Sequence, residues 1–378
     1  MKKLAVLMCV LLIMTSMIFV SCPGREAASV AFEEGPMYTP DFLINFRIDP
    51  AQIPAAKRNT TLHIGASIRS LDGAYYVSKR DGMRMFEAYL RSIGQAVQGH
   101  ELLHGGTNAG QLDSIRAFAA LAGSNGITYA DPNEDAVAFV LADAMRAAGG
   151  FVGTAWNKPD DVGPIDLTPN WVIHTSPDNV AGAYRTARAM FEAMGGNGEI
   201  FVINGMMGNT AAVDRRAGLE RALAAFPGIR IVREDTGNWQ TPEALRLTET
   251  WLPLHPNVRG IWTANDNMAL GAVQALQARG LAGRVFVVGF DGTAPVVEQI
   301  RDGNILATVS ANGYLQSGFT LAILYAVWTR QLNPARFPAN FREFATPAGF
   351  ITSANAAEFL AGPPSFDFSR PFYFGRDN

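Results

Sequence analysis

The chain has 378 residues, of which 48% are hydrophobic and 17% charged, and its formal net charge is −3. This length allows two domains, or one large one, with a sizeable core in each. A near-neutral charge without a basic block argues against nucleic acid as a partner. Cysteines occur at Cys9 and Cys22, so a mature chain that begins at Cys22 has no internal disulfide and depends on its cores for stability.

The N-terminal segment is predicted to be an export signal. Two lysines precede an apolar stretch that ends in small residues and Cys22, and the stretch is too short and wrongly flanked for a lasting membrane span. Its end, Phe-Val-Ser-Cys at 19–22, resembles the lipobox of bacterial lipoproteins, in which the cysteine is lipidated; leucine is more usual in place of the phenylalanine. The alternative is an ordinary cleaved signal with a chance cysteine. We expect residues 1–22 to be a lipoprotein signal peptide, and residues 23–57 to tether the folded part to a membrane outside the cytoplasm.

The folded part begins with patterns of one strand and one helix. Residues 62, 64, 66 and 68 are apolar and alternate with polar or small residues, as in a β-strand. Apolar residues at 83, 86, 90 and 93 then recur at helical spacing, which indicates an amphipathic helix.

Strands and helices alternate along the rest of the folded part. The further predicted strands are 101–104, 127–130, 151–155, 200–204, 229–232, 260–263, 285–290 and 306–310. The predicted helices between them include 181–194, 210–225, 268–279 and 316–330. Such alternation indicates parallel sheets with helices on both faces, and so many strands indicate two α/β lobes. In these folds the ligand lies at the carboxyl ends of the strands.

Four segments in the second half of the chain carry a family resemblance. Residues 262–272 read Trp-Thr-Ala-Asn-Asp-Asn-Met-Ala-Leu-Gly-Ala, and residues 287–293 read Val-Val-Gly-Phe-Asp-Gly-Thr. With Asp-Gly at 302–303 and Ala-Thr-Val-Ser at 307–310, they resemble the sugar-binding proteins of bacterial ABC importers, the ribose/galactose-type class of periplasmic binding proteins. The resemblance covers roughly residues 61–330. Repressors share this core, but the export signal and the lack of a helix-turn-helix before the first strand argue against a repressor.

The resemblance implies an α/β fold of two doubly wound parallel-sheet lobes, joined by crossover strands, that close over one ligand. We expect the N-terminal lobe to comprise residues 58–172 and 312–332, and the C-terminal lobe residues 173–311. Residues 333–378 lie outside the resemblance, and we expect this C-terminal extension to pack on the lobes because it is rich in aromatic residues. These aromatic residues are Phe366, Phe368, Phe372, Tyr373 and Phe374.

In the C-terminal lobe, four residues match ligand-binding positions of the family. Asp291 follows an apolar strand, and its carboxylate can accept hydrogen bonds from neighbouring sugar hydroxyls, although Asp-Gly is also ordinary turn chemistry. Asn265 matches a cleft-facing amide, whereas the adjacent Asp266 is expected to cap the following helix. Arg215 matches an arginine that donates into the cleft, and the arginine after it is expected on the surface. Trp239 matches an aromatic residue that stacks on the sugar.

A pair of tyrosines marks the start of the first helix. Tyr75 and Tyr76 match the place where the family sets adjacent aromatic rings, which stack on the C–H faces of a sugar. We expect one of the two to pack as core instead. Asp72, just before them, either hydrogen-bonds a sugar hydroxyl or caps the helix.

Further ligand residues are expected after two other strands of this lobe. Trp156 and Asn157 stand where many relatives carry an Asp-Arg pair, so Trp156 is expected to stack and Asn157 to hydrogen-bond. Asp131 stands where relatives often have a polar contact, although Asp-Pro is also plain turn chemistry. Ala311 replaces a glutamine typical of ribose-binding relatives. Since these replacements remove long polar groups and add aromatic area, we expect an aldohexose or similar pyranose, with ribose a poor ligand.

The run His100-Glu101-Leu-Leu-His104 fits a zinc-protease pattern, in which two histidines on one helix face bind metal and the glutamate acts as base. That pattern demands a helix. Glycines border the run on both sides, its place is that of the second strand of the lobe, and no third ligand follows at a usual spacing. A zinc hydrolase is therefore the lesser alternative, and we expect no enzyme activity.

The expected function is that of a lipid-anchored solute-binding protein. It is expected to be a monomer that delivers a sugar to an ABC permease and touches the membrane only through its lipid. No cofactor is expected, because the sequence has no phosphate-binding glycine loop, cysteine metal cluster or calcium loop. An alternative partner is a receptor, to which the protein presents the same sugar as a sensor.

Overall fold

The computed structural model describes residues 46–337, 342–346, 348–361 and 368. The predicted signal peptide, its cysteine and most of the predicted tether lie outside the described residues, as do four of the five tail aromatics. The fifth, Phe368, is 4% exposed and meets Phe86 of the N-terminal lobe edge-on, with ring centres 5.1 Å apart. This part of the tail therefore packs on the lobe.

The N-terminal lobe is built on a parallel sheet. Its strands are β1 (Leu62–Ile68), β2 (Val97–Leu103), β3 (Gly126–Ala130), β4 (Phe151–Ala155), β5 (Trp171–Pro177) and β11 (Glu343–Thr346). They lie in the order β2-β1-β3-β4-β5-β11. This order reverses between β1 and β3, which is where doubly wound folds bind their ligands.

The C-terminal lobe repeats this arrangement with one antiparallel edge. Its strands are β6 (Asn197–Asn204), β7 (Gly228–Thr236), β8 (Val258–Thr263), β9 (Phe286–Val288), β10 (Ala307–Ser310) and β12 (Gly349–Thr352). The order is β7-β6-β8-β9-β10-β12, and β12 runs antiparallel to β10. The predicted fold of two α/β lobes is confirmed.

Helices cover both faces of each sheet. They are α1 (Ala55–Arg58), α2 (Ala74–Ser92), α3 (Asn108–Ala122), α4 (Ala138–Ala147), α5 (Asn179–Ala193), α6 (Thr210–Ala225), α7 (Thr241–Trp251), α8 (Asp266–Ala278), α9 (Ala294–Arg301), α10 (Gly313–Trp328) and α11 (Ala356–Leu360). Three of the four residues of the predicted stripe, Met83, Phe86 and Leu90, are buried in α2, so the helical spacing predicted this packed face correctly. The fourth, Ile93, is half-buried and is the C-cap of the helix. None of the helices in the described part of the chain has both the length and the apolar character for crossing a bilayer.

The described chain passes between the lobes after β5, after β10 and between β11 and β12. Sequence reading missed β5, which extends the first sheet beyond the predicted boundary at residue 172. The reason is that β5 is buried on both faces, so its short apolar run shows no alternation. The tail also contributes a strand to each sheet, which its aromatic composition did not indicate.

Candidate functional site

Nine of the ten predicted ligand residues line one cavity of about 60 Å³ between the lobes. The cavity lies at the carboxyl ends of the strands, where the topology places a ligand. The lining residues among those predicted are Tyr75, Tyr76, Asp131, Trp156 and Asn157 of the N-terminal lobe and Arg215, Trp239, Asn265 and Asp291 of the C-terminal lobe. Their contact with a ligand stays a prediction.

The tenth residue, Asp72, is exposed and is not part of the cavity wall. Neither predicted role fits its position. The N-cap of α2 is Gly73, which makes no side-chain capping bond, and the Asp72 backbone N–H donates to Ser70 Oγ at 3.3 Å. Asp72 therefore belongs to the turn that leads into the helix.

A buried ion pair forms part of the cavity wall. Arg215 on α6 and Asp291, which follows β9, are 3% and 6% exposed, and Arg215 Nη2 lies 3.5 Å from Asp291 Oδ1. Arg215 also donates from Nε to Asn179 Oδ1 at 3.0 Å and from Nη1 to the Ala264 carbonyl at 2.7 Å. Its guanidinium lies 3.8 Å from the centre of the Phe290 ring. These contacts fix the orientation of the arginine before any ligand arrives.

The carboxyl group of Asp291 changes its protonation state near neutral pH. Burial raises the pKa of its carboxyl to about 7, although the positive charge of Arg215 acts in the opposite direction. The ionised form is the stronger hydrogen-bond acceptor. The acceptor strength of this wall of the cavity therefore depends on pH.

Three of the cavity residues have a backbone conformation that side chains disfavour. The φ angles are 72° at Trp156, 64° at Trp239 and 131° at Asp291. Positive φ is uncommon outside glycine, and such strain clusters at functional sites because the surrounding structure must hold it. Each of these residues comes shortly after a strand, and the local backbone directs its side chain to the cavity.

Asn265 lies at the cavity as predicted, whereas the predicted capping role of Asp266 is wrong. Asn265 is the N-cap of α8, since its Oδ1 accepts from the Met268 backbone N–H at 3.0 Å, and it also lines the cavity. Asp266 does not cap the helix. Its carboxylate is fully buried and accepts from the backbone and hydroxyl of Thr293 and from the hydroxyl of Thr308. Through these hydrogen bonds, Asp266, which follows β8, connects to the segment after β9 and to β10.

The aromatic residues of the N-terminal lobe share one acceptor. Gln316 on α10 is 2% exposed, and its Oε1 accepts from Tyr75 Oη at 3.0 Å, Tyr129 Oη at 3.1 Å and Trp156 Nε1 at 2.9 Å. The rings of Tyr75 and Trp156 meet edge-on with centres 5.8 Å apart. Tyr75 is the more buried of the tyrosine pair, and Tyr76 is partly exposed. Gln316 was not predicted, because it is far along the chain in a uniformly apolar helix.

Trp239 forms the opposite aromatic wall. Its Nε1 donates to Asn209 Oδ1 at 2.8 Å, and its ring packs against the backbone of Gly205. A Cβ at Gly205 would lie 1.9 Å from the ring, so only glycine leaves room for the tryptophan. The guanidinium of Arg215 lies 5.5 Å from the Trp239 ring and 4.8 Å from the Trp156 ring, so aromatic faces of both lobes meet beside the same cation.

Lys79 is a site residue that sequence reasoning missed. Its side chain is 1% exposed, forms an ion pair with Asp131, and places its ammonium 4.3 Å from the centre of the Tyr75 ring. Burial lowers its pKa, and Asp131 opposes this effect. The signal in the sequence was a lysine four residues after Tyr75 on the face of α2 that also carries Met83 and Phe86.

Asn157 and its neighbours connect the lobes. Asn157 Nδ2 donates to the Pro132 carbonyl at 2.7 Å, and its Oδ1 accepts from the Ala211 backbone N–H at 3.4 Å. Farther along the same interface, the Thr210 backbone N–H donates to Asp135 Oδ1 at 3.0 Å. The lobes are thus in contact across the cleft, and Asn157 has a structural role besides the predicted hydrogen bond to sugar.

The zinc-protease pattern does not lie on a helix. His100 and Glu101 belong to β2, and His104 follows that strand. His100 contacts His63 with ring nitrogens 3.0 Å apart, and Glu101 forms an ion pair with exposed Arg84. Among the described residues, no group of three or more His, Cys, Asp or Glu side chains is placed to hold a metal ion.

The cavity combines charged and aromatic groups in a small space. Its charged residues are Arg69, Lys79, Asp131, Arg215 and Asp291. Acceptors and donors beside aromatic faces suit a small molecule that presents hydroxyl groups and C–H faces together.

Comparisons with known proteins point to one family. The family model described as a periplasmic binding protein domain matches residues 75–331. The twin-arginine translocation pathway signal protein from Burkholderia phytofirmans has a solved structure that superposes with a TM-score of 0.76 at 34% identity, covering 80% of this chain and 92% of that one.

Relatives of known ligand agree with this match. A xylitol-binding protein of Mycolicibacterium smegmatis is 32% identical over 161 residues, 42% of this chain and 46% of that protein. A D-ribose/D-allose-binding protein of Pseudomonas aeruginosa is 26% identical over 260 residues, 68% of this chain and 79% of that protein. The chain spans about half the length of several of the curated relatives it matches.

Proposed function

This chain belongs to the periplasmic binding protein domain family, and we propose that it captures a monosaccharide between its lobes and delivers it to an ABC permease. The observation that carries the proposal is the buried pair of Arg215 and Asp291, set between aromatic rings of both lobes. The names of the xylitol-binding and D-ribose/D-allose-binding relatives support a sugar or polyol as ligand. Members of this family bind solutes rather than catalyse reactions, so the protein is not an enzyme on this proposal.

The chemistry of the cavity fits this ligand class. A carboxylate can accept from two neighbouring hydroxyls, the guanidinium can donate to hydroxyl or ring oxygens, and the tryptophan faces can cover C–H groups. Because the lobes are in contact and the cavity is only about 60 Å³, entry of a sugar requires the lobes to separate. Hinge closure around the ligand is the known motion of periplasmic binding proteins.

The bound sugar is expected to be an aldohexose or similar pyranose. Three tryptophan or tyrosine walls offer stacking area, and the long polar groups of ribose-binding relatives are absent at Trp156, Asn157 and Ala311. Melting-temperature shifts should identify binders in a panel of D-glucose, D-galactose, D-allose, D-ribose and xylitol, since a ligand stabilises the state that binds it. Calorimetric titration should then rank them, and ribose bound more tightly than every hexose would contradict the hexose assignment.

Sugar affinity is expected to rise as the pH increases from about 6 to about 8. With the pKa of Asp291 at about 7 in the ligand-free protein, the ionised acceptor becomes predominant over this interval, which gives roughly a tenfold gain if only that form binds. Calorimetry at several pH values tests this, and Asp291→Asn should bind weakly with a flat profile. If the sugar affinity of the wild-type protein does not change with pH, the ionisation of Asp291 does not contribute to sugar binding.

The same group affects stability with the opposite trend. Its folded-state pKa is raised above 3.8, so its contribution to folding is fully present below about pH 4 and is lost as the pH rises through about 7. The melting temperature of the ligand-free wild type should therefore fall, relative to that of Asp291→Asn, over this range.

A lipid anchor at Cys22 is the proposed link to the membrane, which places the folded part outside the cytoplasm. Cys22→Ala is expected to release the protein from the membrane fraction while sugar affinity stays unchanged, because the residue precedes the folded part. Fractionation followed by immunoblotting measures this. If the variant stays with the membrane although its signal is removed, the anchor is not at this cysteine.

A further inference from the structure

His104 is a buried cavity residue whose ring nitrogens have no hydrogen-bond partner in the described part of the chain. It follows β2 directly, and its backbone N–H donates to the Ile68 carbonyl at 3.3 Å, so the ends of β1 and β2 fix its position. The residue is 5% exposed and lines the cavity. Among the described residues, neither of its ring nitrogens has a hydrogen-bond partner.

Another histidine, which is buried to a similar extent, does have a hydrogen-bond partner for its ring. His174 is 6% exposed, and its Nδ1 lies 2.8 Å from Thr154 Oγ1, with which it shares a hydrogen bond. A buried donor or acceptor without a partner costs about 1–3 kcal/mol, and buried polar groups in native proteins are nearly all paired. At His104 this cost is reduced if a molecule in the cavity supplies a partner for a ring nitrogen.

We propose that His104 binds the ligand through one ring nitrogen, which shares a hydrogen bond with a hydroxyl group of the bound molecule. The neutral imidazole has one donor nitrogen and one acceptor nitrogen, and a hydroxyl of a sugar or polyol can pair with either, because it both donates and accepts. A carboxylate can only accept, so it cannot satisfy the accepting nitrogen. This inference rests on the proposed function and adds a recognition residue at the ends of β1 and β2.

The surroundings of His104 keep its ring neutral. Burial lowers the pKa of His104 to about 4, and the positive charges of Arg69 and Lys79 act in the same direction. Arg69 is held beside the cavity by donation from Nη2 to Asn133 Oδ1 at 2.9 Å. A third cation here would be repelled, so the imidazole stays neutral and keeps one donor and one acceptor nitrogen at ordinary pH.

The test replaces the ring nitrogens without removing the ring. His104→Phe is expected to weaken binding of the tightest ligand among D-glucose, D-galactose, D-allose, D-ribose and xylitol by about tenfold or more in calorimetric titration. The melting temperature of the ligand-free variant should stay equal or rise, because two unpartnered nitrogens are removed from the interior. A merely structural histidine would instead lower the melting temperature and leave the affinity unchanged.

The matched control is His255→Phe. His255 also has an unpartnered Nε2 among the described residues, but it packs against Phe201 and does not line the cavity, so binding should stay within about twofold of wild type. If wild type binds a panel sugar and His104→Phe binds it equally well, the inference is overturned. If wild type binds none of the panel, the proposed sugar function fails, and the inference falls with it.

A measurement on the unaltered protein covers the case in which His104→Phe does not fold. In nitrogen-15 spectra of the histidine rings, saturation with the bound sugar should shift at least one ring-nitrogen signal of His104 and leave those of His255 in place. Unchanged His104 signals in the saturated protein would overturn the inference.

Discussion

Replacing Arg215 by alanine is expected to weaken sugar binding by a hundredfold or more. The guanidinium is 3% exposed, and its removal leaves the carboxylate of Asp291 buried without its cation. Breaking a buried pair on one side costs about 3–5 kcal/mol of folding stability. In binding, truncating one partner of a buried, hydrogen-bonded charge pair costs about 2–5 kcal/mol, and about 2.8 kcal/mol corresponds to a hundredfold change in affinity. The hydrogen bonds to Asn179 and Ala264 disappear as well, so the cavity loses both a donor and the support of its wall. Calorimetric titration measures the affinity, and thermal unfolding reports the loss of stability separately.

Arg216→Ala is the matched control, because the next residue on the same helix has the same side chain in another environment. Arg216 is 25% exposed and pairs with Glu234 and Glu220 on the surface. Such pairs contribute at most about 1 kcal/mol to stability. Arg216 does not line the cavity, so sugar affinity should change less than about threefold. Arg215→Lys adds a second comparison: it keeps the charge but not the planar fork, and we expect intermediate binding. Equal and small effects at all three variants would place the ligand elsewhere.

From the sequence, the residues that line the cavity could be predicted better than the contacts between them. Trp239 and Asp291 could be found because the site lies at strand ends, which follow from hydrophobic patterns and family motifs, and Arg215 on α6 could be found through the family resemblance alone. Lys79 escaped because a lysine on a helix is normally solvated, and its burial depends on Asp131, which is distant in the chain. The contact between these two residues exists only in the folded sheet.

The sequence also does not distinguish the roles of adjacent residues with similar chemistry. Asn265 and Asp266 can both cap a helix, and the sequence does not tell where the first turn begins. In the structure the hydroxyls of Thr293 and Thr308 donate to the buried carboxylate of Asp266. Asp266 is therefore not available as a cap, and Asn265 caps the helix. The positive φ angle of Trp156 is equally hidden, because it is imposed by the surrounding chain and not by the residue itself.

Gln316→Leu is expected to reduce both stability and sugar affinity strongly. One oxygen of Gln316 accepts from Tyr75, Tyr129 and Trp156, so leucine leaves three donors in the interior without an acceptor. At about 1–3 kcal/mol for each unsatisfied group, the free energy of unfolding should fall by roughly 3 kcal/mol or more. Denaturant unfolding measures this change. Because two of the three donors belong to rings that line the cavity, affinity should fall by about tenfold or more even in the fraction that stays folded.

A positioning role for Gln316 makes a prediction that a purely structural role does not. Gln316→Glu keeps an acceptor oxygen of nearly the same shape, so the three donors retain their partner although a second acid enters the site. Its affinity should therefore lie between those of wild type and Gln316→Leu when the three proteins are compared at about pH 8, where Asp291 is ionised. Gln277→Leu, on the exposed face of α8, is the control and should leave both quantities unchanged. If Gln316→Leu binds sugar as tightly as wild type while unfolding more easily, the rings keep their positions without the shared acceptor, and the glutamine serves stability alone.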